Sequence, residues 1–312
     1  MIPDRDVIRE AEIRLRGHIR KTPTIDISGK PFGLAKPVSL KLEYLQHSGS
    51  FKARGAFNNL LSRKVPKSGI AAASGGNHGA AVSYAAGKLG VSARIFVPTI
   101  SSPVKIDAIK RNGAHVVVDG DRYADALANC EAWQTESGSL GIHAYDGFET
   151  IVGQGTTALE WEQQAGPFDT VLVAVGGGGL ISGMASWFGN KTNIIAVEPE
   201  TSCALDAAIR AGNPVNVSVS GIAADSLGAR SIGEKPFKIL KDMIDDVALV
   251  TDKAILAAQQ TLWREFRIAA EPGGCAAWAA LQSHACQPAP NERVGILICG
   301  GNTNLWSLAE MQ

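Results

Sequence analysis

The stretch Thr170-Val-Leu-Val-Ala-Val-Gly-Gly-Gly-Gly-Leu180 joins an apolar run to four consecutive glycines. Residues 170–175 do not alternate between polar and apolar side chains, which is typical of a strand covered by helices on both faces. Glycines between such a strand and a helix leave backbone N–H groups open to an anion, because no Cβ shields them. The stretch therefore predicts a strand, a phosphate-binding loop and a helix.

Strand and helix patterns alternate along most of the chain. Strand patterns lie at residues 37–41, 70–73, 93–97, 115–118, 170–175, 193–197, 247–250 and 294–299. Helical patterns lie at residues 4–16, 52–63, 78–89, 103–112, 122–137, 153–165, 180–188 and 253–268. This alternation predicts an α/β fold with open, doubly wound parallel sheets. Composition alone gives no domain boundary.

The composition excludes several classes of protein. With 45% hydrophobic and 19% charged residues, the 312-residue chain is globular rather than disordered. Its 30 basic and 30 acidic residues cancel, so no net charge favours nucleic acid or anionic membranes. The five cysteines are odd in number and form no CxxC pair, which suits a reducing, cytoplasmic compartment. The chain also lacks an apolar signal core at its start and any membrane-spanning apolar window.

Small residues surround one lysine in Ser48-Gly-Ser-Phe-Lys-Ala-Arg-Gly-Ala56, the lysine loop. Lys52 opens a predicted helix, where the helix dipole lowers the pKa of an amine. A neutral amine can bind an aldehyde cofactor covalently, and Phe51 could pack against a flat ring. The alternative is an ordinary solvent-exposed lysine, which is the commoner situation.

A second candidate is Ser74-Gly-Gly-Asn-His-Gly79, the asparagine loop, which follows the apolar run 70–73. Such a strand-to-helix turn brings backbone N–H groups close to an anion, here a carboxylate. The Asn77 amide can both donate and accept a hydrogen bond. A tight turn with a helix cap and no chemistry is the alternative.

The last predicted strand runs into Cys299-Gly-Gly-Asn302. A side chain at the carboxyl end of a strand points toward the crevice in which open α/β sheets bind ligands. Cys299 is therefore a candidate ligand contact, and a buried core thiol is the alternative.

Taken together, the lysine loop, asparagine loop, glycine run and terminal Cys-Gly-Gly-Asn resemble the fold-type II pyridoxal-phosphate enzymes, within them the serine/threonine dehydratases and serine racemase. The resemblance covers essentially the whole chain. It implies a tryptophan-synthase-β-like fold with two open parallel-sheet α/β domains. A large cofactor domain would comprise residues 1–68 plus 146–312, and a small mobile domain residues 69–145. A homodimer is expected.

The resemblance also implies the role of each loop toward pyridoxal 5′-phosphate. Lys52 would carry the cofactor covalently and act as the catalytic base, beside Phe51. Asn77 would bond the 3-oxygen of the ring, and Cys299 would face the ring nitrogen. The phosphate would bind Gly176, Gly177, Gly178 and Gly179. The substrate amino acid would bind the asparagine loop through Ser74, Gly75, Asn77 and His78.

Two details favour one reaction within the family. The lysine loop reads SFKAR, the dehydratase form, where cysteine synthases typically show SVKDR. Gly75 stands where serine racemase has a serine that acts on the face opposite the lysine. We therefore expect a dehydratase, or ammonia-lyase, that converts a β-hydroxy L-amino acid such as serine or threonine to a 2-keto acid and ammonia. Racemisation or β-replacement is the alternative, and residues 221–230 with Phe148 are expected to contact the substrate side chain.

A cation site is a further expectation from the resemblance. Val197-Glu198-Pro199 matches a family segment whose glutamate helps to bind a metal ion. Ala204 replaces a second ligating carboxylate, which leaves a monovalent or divalent cation held by Glu198 and carbonyls such as that of Ser202. A glutamate that only caps a strand end is the alternative.

Two other classes of protein fit this α/β pattern less well. A nicotinamide-dependent oxidoreductase would need a complete GxGxxG, which the glycine run at residues 176–181 fails at its last position. A ligand-binding protein without catalysis would not need Lys52.

Overall fold

The computed structural model describes residues 2–101 and 103–304. Its strands are β1 Thr24–Ile27, β2 Val38–Lys41, β3 Ile70–Ala73, β4 Ala93–Val97, β5 His115–Val118, β6 Leu140–Gly141, β7 Thr170–Ala174, β8 Asn193–Pro199, β9 Asp246–Val250 and β10 Val294–Leu297. Its α-helices are α1 Arg5–Leu15, α2 Lys52–Ser62, α3 Asn77–Leu89, α4 Pro103–Arg111, α5 Tyr123–Ser137, α6 Phe148–Ala165, α7 Gly179–Phe188, α8 Ala204–Ala211, α9 Ala224–Leu227, α10 Glu234–Leu240, α11 Asp252–Phe266 and α12 Pro272–Gln282. None of these helices combines the length and apolar character that crossing a bilayer requires.

The larger sheet has six strands in the order β1-β2-β10-β7-β8-β9. All of its neighbouring strands are parallel except β1, which pairs antiparallel with β2 at the edge. Every residue of β7 and β10 is buried, as the lack of polar alternation predicts for central strands with helices on both faces. The loops that follow β7 and β10 therefore lie side by side at the carboxyl edge of the sheet.

The smaller sheet has four parallel strands in the order β5-β4-β3-β6. Its central strand β3 reads Ile-Ala-Ala-Ala and is buried throughout, packing against α3 and α5. The two sheets belong to separate clusters of buried apolar residues. The predicted fold class with two parallel-sheet α/β units is thus confirmed, and the boundaries 69–145 of a small mobile domain stay a prediction.

The structure contains β1, β6, α8, α9 and α10, which the sequence patterns did not predict, and it also differs in two helices with internal glycines. Helix α6 begins at Phe148 rather than near 153, and α12 was not predicted. A Cβ on Gly153 would lie 2.7 Å from the Cα of Gly55 in α2, so the glycine permits close contact between the two helices. Glycine lowers intrinsic helix propensity by about 1 kcal/mol, and tertiary packing outweighs that cost here.

Candidate active site

Candidate residues from four segments of the chain line one pocket at the carboxyl edge of the larger sheet. The lining residues are Phe51, Lys52, Asn77, Tyr145, Ala174, Val175, Gly176, Gly177, Gly178, Gly179, Leu180, Ile181, Ser226, Leu227, Glu271, Gly273 and Cys299. The structure therefore brings together the lysine, the asparagine, the glycine run and the cysteine singled out in the sequence. It adds Tyr145 and Glu271, and it places Ser226 and Leu227 from the expected segment 221–230 in the lining.

Lys52 is held at the pocket by the start of α2. The N–H of the preceding residue, Phe51, donates to the Cys299 carbonyl at 3.1 Å, which fixes the lysine loop to the end of β10. Lys52 Nζ donates to the carbonyl of Ala144 at 2.7 Å rather than to a carboxylate. Burial lowers the pKa of Lys52 to about 8. A substantial fraction of neutral amine is therefore present near physiological pH, which a nucleophile or base requires.

Helix α2 is anchored by three buried charges, Lys41, Glu43 and Arg54, and by the half-buried Glu160, which together we call the ion cluster. Arg54 binds both carboxylate oxygens of Glu43, at 2.7 and 2.8 Å, and lies 3.0 Å from Glu160. Lys41 Nζ donates to Glu160 at 2.5 Å. Two cations thus balance two anions, and one of the cations, Arg54, lies two residues after Lys52, which fixes the position of the helix start.

The glycine loop, residues 176–179, has no room for side chains. A Cβ on Gly177 would lie 2.2 Å from the ring of Tyr145, and one on Gly179 would lie 2.8 Å from its backbone. Gly178 has a φ of +88°, which an L side chain rarely adopts. The loop leads directly into α7, whose first N–H groups have no partner within the helix. The backbone donors and the positive helix end fit a phosphate group.

Asn77 is the first residue of α3, and its amide is held from both sides. Its Nδ2 donates to Glu271 Oε1 at 2.5 Å, and its Oδ1 accepts from Asn302 Nδ2 at 2.7 Å. In the same loop, Ser74 Oγ accepts the N–H of Gly76 at 3.1 Å. Asn77 is the residue of the asparagine loop that lines the pocket.

His78 turns away from the pocket lining. The ring is buried, and its Nε2 lies 2.9 Å from the Ile142 carbonyl, so Nε2 carries the proton and donates. Burial lowers the pKa of His78 to about 3, which keeps the imidazole neutral. Unlike Asn77, the neighbouring Ser74, Gly75 and His78 do not line the pocket. Their contact with substrate stays a prediction.

Cys299 lines the pocket and has only 4% of its surface exposed. Its Sγ lies 3.6 Å from the Gly273 carbonyl, to which the thiol donates. Burial raises the pKa of Cys299 to about 12, so the group is a neutral thiol. A cofactor ring nitrogen facing it would meet no charge.

Glu271 is the functional candidate that the sequence patterns missed. It immediately precedes α12, is 4% exposed, and lines the pocket. Burial raises its pKa to about 7. The local signal was Glu271-Pro272, an acidic residue before a proline that starts a helix. Gly273 and Gly274, which follow Pro272, are more typical of a loop than of a helix. No sequence motif indicated Tyr145.

The two residues expected to bind a cation lie at the carboxyl end of β8, with Glu198 near the end of the strand and Ser202 just after it. Both carboxylate oxygens of Glu198 accept backbone N–H groups at the start of α8, from Leu205 and Asp206 at 2.9 Å each. Burial raises the pKa of Glu198 to about 7. Ser202 Oγ donates to the Leu227 carbonyl at 2.9 Å. Residues 2–101 and 103–304 contain no cluster of three or more His, Cys, Asp or Glu side chains suited to a metal. The Glu198 carboxylate thus caps a helix, and its cation role stays a prediction.

Comparisons with known proteins agree along the full chain. A family profile described as "Pyridoxal-phosphate dependent enzyme" matches residues 15–300, which include every residue lining the pocket. The chain is 33% identical over 315 residues to the phenylserine dehydratase of Ralstonia pickettii, covering 99% of this chain and 96% of that protein. The maize serine racemase structure matches with a TM-score of 0.92 at 31% identity, over 99% and 97% of the two chains. A threonine deaminase structure from T.th. matches with a TM-score of 0.90 at 33% identity, over 97% and 99%.

Proposed function

Because the chain belongs to the pyridoxal-phosphate dependent enzymes, we propose that it is a dehydratase that converts a β-hydroxy L-amino acid to a 2-keto acid and ammonia. The observation that carries the proposal is the buried Lys52 amine, whose pKa is lowered to about 8, in one pocket with the glycine loop and a neutral Cys299 thiol. Two of its relatives, named phenylserine dehydratase and threonine deaminase, support the same reaction class.

The pocket residues fit the cofactor group by group. Lys52 would carry the cofactor covalently, and the N–H groups of residues 176–179 would hold its phosphate. Asn77 would donate to the 3-oxygen, while Phe51 and Cys299 would flank the ring. When bound, pyridoxal phosphate supplies an electron-accepting ring that stabilises negative charge at the substrate Cα.

Lys52 acts as the base in the proposed mechanism. Once the substrate amine has displaced it, the neutral Lys52 amine removes the Cα proton. The Cβ–O bond then breaks, and the hydroxyl leaves as water with the proton that Lys52 Nζ removed from Cα. The enamine released hydrolyses to the 2-keto acid and ammonia. Cys299 offers the ring nitrogen no negative charge, so a carbanion is poorly stabilised and rapid loss of the β-hydroxyl is favoured.

The substrate side chain would contact α9. Ser226 and Leu227 line the pocket, within the segment 221–230 that the resemblance singled out. Phe148 is the first residue of α6 and does not belong to the lining. We therefore propose that α9, rather than Phe148, distinguishes serine, threonine, hydroxyaspartate and phenylserine.

A substrate panel tests the proposal. The purified protein is incubated with L-serine, L-threonine, 3-hydroxyaspartate and phenylserine, and 2-keto acid is measured together with the visible absorbance of the bound cofactor. We expect keto acid from at least one compound, and loss of both signals in Lys52→Ala. A normal visible band with no keto acid from any compound would refute the dehydratase reaction. A visible band that survives in Lys52→Ala would refute the role of Lys52.

Racemisation is a second candidate because of one specific contact. A Cβ on Gly75 would lie 2.0 Å from Ser101 Oγ, so the Ser101 hydroxyl fills the space beside the asparagine loop that a side chain at position 75 would occupy. A hydroxyl group thus lies beside Gly75, although neither residue belongs to the pocket lining. The maize serine racemase match favours the same reaction. Formation of D-serine from L-serine that Ser101→Ala abolishes, with keto acid formation retained, would establish this activity.

A cation, the assembly and the compartment complete the proposal. We propose that a monovalent or divalent cation binds near Glu198 and the Ser202 carbonyl, that the enzyme is a homodimer, and that it works in the cytoplasm. Activity that rises with K⁺ or Mg²⁺ in the wild type but not in Glu198→Gln would support the cation. Light scattering at micromolar concentration measures the assembly.

A further inference from the structure

We propose that Asn302 and Glu271 are positioning residues that set which way round the Asn77 amide lies, so that an N–H donor rather than a carbonyl oxygen faces the pocket. The inference rests on the proposed function, since it assigns the donor that would meet the cofactor's 3-oxygen. It follows from the polarity of three hydrogen bonds. They join Ser48 of the lysine loop to Asn302, Asn302 to Asn77 of the asparagine loop, and Asn77 to Glu271, which precedes α12.

The first bond identifies the atoms of Asn302. Its side chain lies 2.8 Å from the backbone carbonyl of Ser48. A carbonyl oxygen only accepts, so the Asn302 atom facing it is the NH₂ group. Gly49 makes room for this contact, because a Cβ there would lie 2.3 Å from Asn302 Oδ1. The orientation of Asn302 is therefore set by the main chain.

The second bond transfers this polarity to Asn77. The same Asn302 NH₂ group has a second hydrogen, which it donates to Asn77 Oδ1. The distance from Asn302 Nδ2 to that oxygen is 2.7 Å. The Asn77 oxygen thus faces Asn302, and its NH₂ group lies on the other side. There Nδ2 donates to Glu271 Oε1 at 2.5 Å, a bond that a carboxylate or the carbonyl oxygen of a carboxylic acid can accept.

The third step places the donor relative to the pocket. Glu271 lines the pocket and is buried, whereas Asn302 is exposed and outside the lining. The NH₂ end of Asn77 therefore lies at the pocket side, with one hydrogen left after the bond to Glu271. A flipped amide would direct Oδ1 to the same place. An oxygen there would repel the cofactor's 3-oxygen, which is itself an acceptor.

Isosteric substitutions reverse the polarity without changing shape. Asn302→Asp replaces the donor by an acceptor opposite Asn77 Oδ1, which favours the flipped amide. Glu271→Gln adds a donor that can bond the flipped Oδ1, yet its own oxygen can still accept from the unflipped Nδ2. The double variant Glu271→Gln/Asn302→Asp keeps the formal charge of the pair while favouring the flipped amide at both ends.

The test is pyridoxal phosphate affinity of the full chain after removal of the cofactor, measured by fluorescence titration beside the melting temperature of the cofactor-free protein. We expect Asn302→Asp to bind roughly tenfold or more weakly than wild type, since about 1.4 kcal/mol corresponds to tenfold. Glu271→Gln, whose amide can bond either orientation of Asn77, should lose less affinity than Asn302→Asp. The double variant should melt above Asn302→Asp by more than Glu271→Gln melts above wild type, because the amide regains partners. Its affinity should stay at or below that of Asn302→Asp.

The controls separate polarity from stability and from charge. Asn302→Ala removes the bond without reversing it, so its affinity should fall less than that of Asn302→Asp. Asn213→Asp adds the same charge on an exposed loop and should change nothing. Affinity in the double variant that recovers together with its melting temperature would overturn the inference, as would equal affinities of Asn302→Asp and Asn302→Ala. A wild type that binds no pyridoxal phosphate would overturn the proposed function instead.

Discussion

The ion cluster and the pocket both adjoin the start of α2. The pKa of a buried carboxylate shifts in opposite directions in these two regions. In the ion cluster, burial is the largest influence on the pKa of Glu43 and would raise it, but Arg54, Lys41 and Thr22 together outweigh burial and lower the pKa. In the pocket, burial dominates: the pKa of Lys52 falls to about 8 and that of Glu271 rises to about 7. Paired charges fix the helix, while weakly compensated ones stay close to a change of protonation, which catalysis requires.

The largest expected effect comes from removing one charge in each region. Arg54→Leu should lower the free energy of unfolding by about 3–5 kcal/mol, because Glu43 would stay buried without its guanidinium. Lys52→Leu should leave the cofactor-free protein as stable as wild type or more so, because it removes a buried ammonium without a carboxylate bond. Urea unfolding at pH 7 measures both. The visible cofactor band should vanish only in Lys52→Leu.

A double variant checks the first part of this comparison. Arg54→Leu/Glu43→Leu removes both partners of the buried pair and should recover part of the stability lost in Arg54→Leu. No recovery would mean that Arg54 stabilises the protein by packing rather than by pairing. A loss in Lys52→Leu as large as that in Arg54→Leu would remove the distinction between the two regions.

An intermediate effect is expected in the pH dependence of stability. The pKa of Glu271 in the folded state, about 7, lies above its ordinary value of 4.5. Between these values the folded protein holds a proton that the unfolded chain has lost, so stability falls as pH rises from about 4.5 to 7. Glu271→Gln removes this contribution. At pH 8 it should therefore raise the free energy of unfolding of the cofactor-free protein, by on the order of 3 kcal/mol at most.

The measurement is a series of urea unfolding curves from pH 4.5 to 8 for wild type and Glu271→Gln. The difference between the two should grow with pH and level off above 7. Glu149→Gln, an acidic residue in the first turn of α6, serves as a matched control. A constant difference across the series would show that Glu271 does not titrate in this range.

The same contrast explains how much could be predicted from sequence. The glycine loop and Cys299 were found from local patterns at strand ends, and Lys52 was found from the small residues around it at a helix start. Glu271 was missed because its partner Asn77 lies 194 residues away along the chain. Helix α12 was missed for a related reason: a Cβ on Gly274 would lie 2.2 Å from the Gly300 carbonyl, so a glycine that suggests a loop instead permits close packing.

The ion cluster was also beyond the sequence patterns. Arg54 was seen only as part of the lysine loop, although its carboxylate partners come from other elements, with Glu43 after β2 and Glu160 in α6. Charged residues are mostly exposed, so a sequence gives no reason to gather four of them in the interior. Local patterns thus identified several residues that line the pocket, and tertiary contacts identify those that hold them in place.

The smallest expected effect is at Cys299, where the pocket holds a group that stays neutral. Burial raises the pKa of this thiol to about 12, so Cys299→Ser, another neutral donor, should change the stability of the cofactor-free protein by less than about 1 kcal/mol. Cys299→Asp introduces an acid beside Glu271 and should lower stability by about 1–3 kcal/mol at pH 8 but less at pH 5, where burial and Glu271 favour its protonated form.

In the loaded enzyme, Cys299→Asp should slow keto acid formation and Cys299→Ser should preserve it, as stopped-flow absorbance would measure. Equal rates in the two variants would show that the charge facing the ring nitrogen does not control the reaction, and the neutral pocket would then serve folding alone.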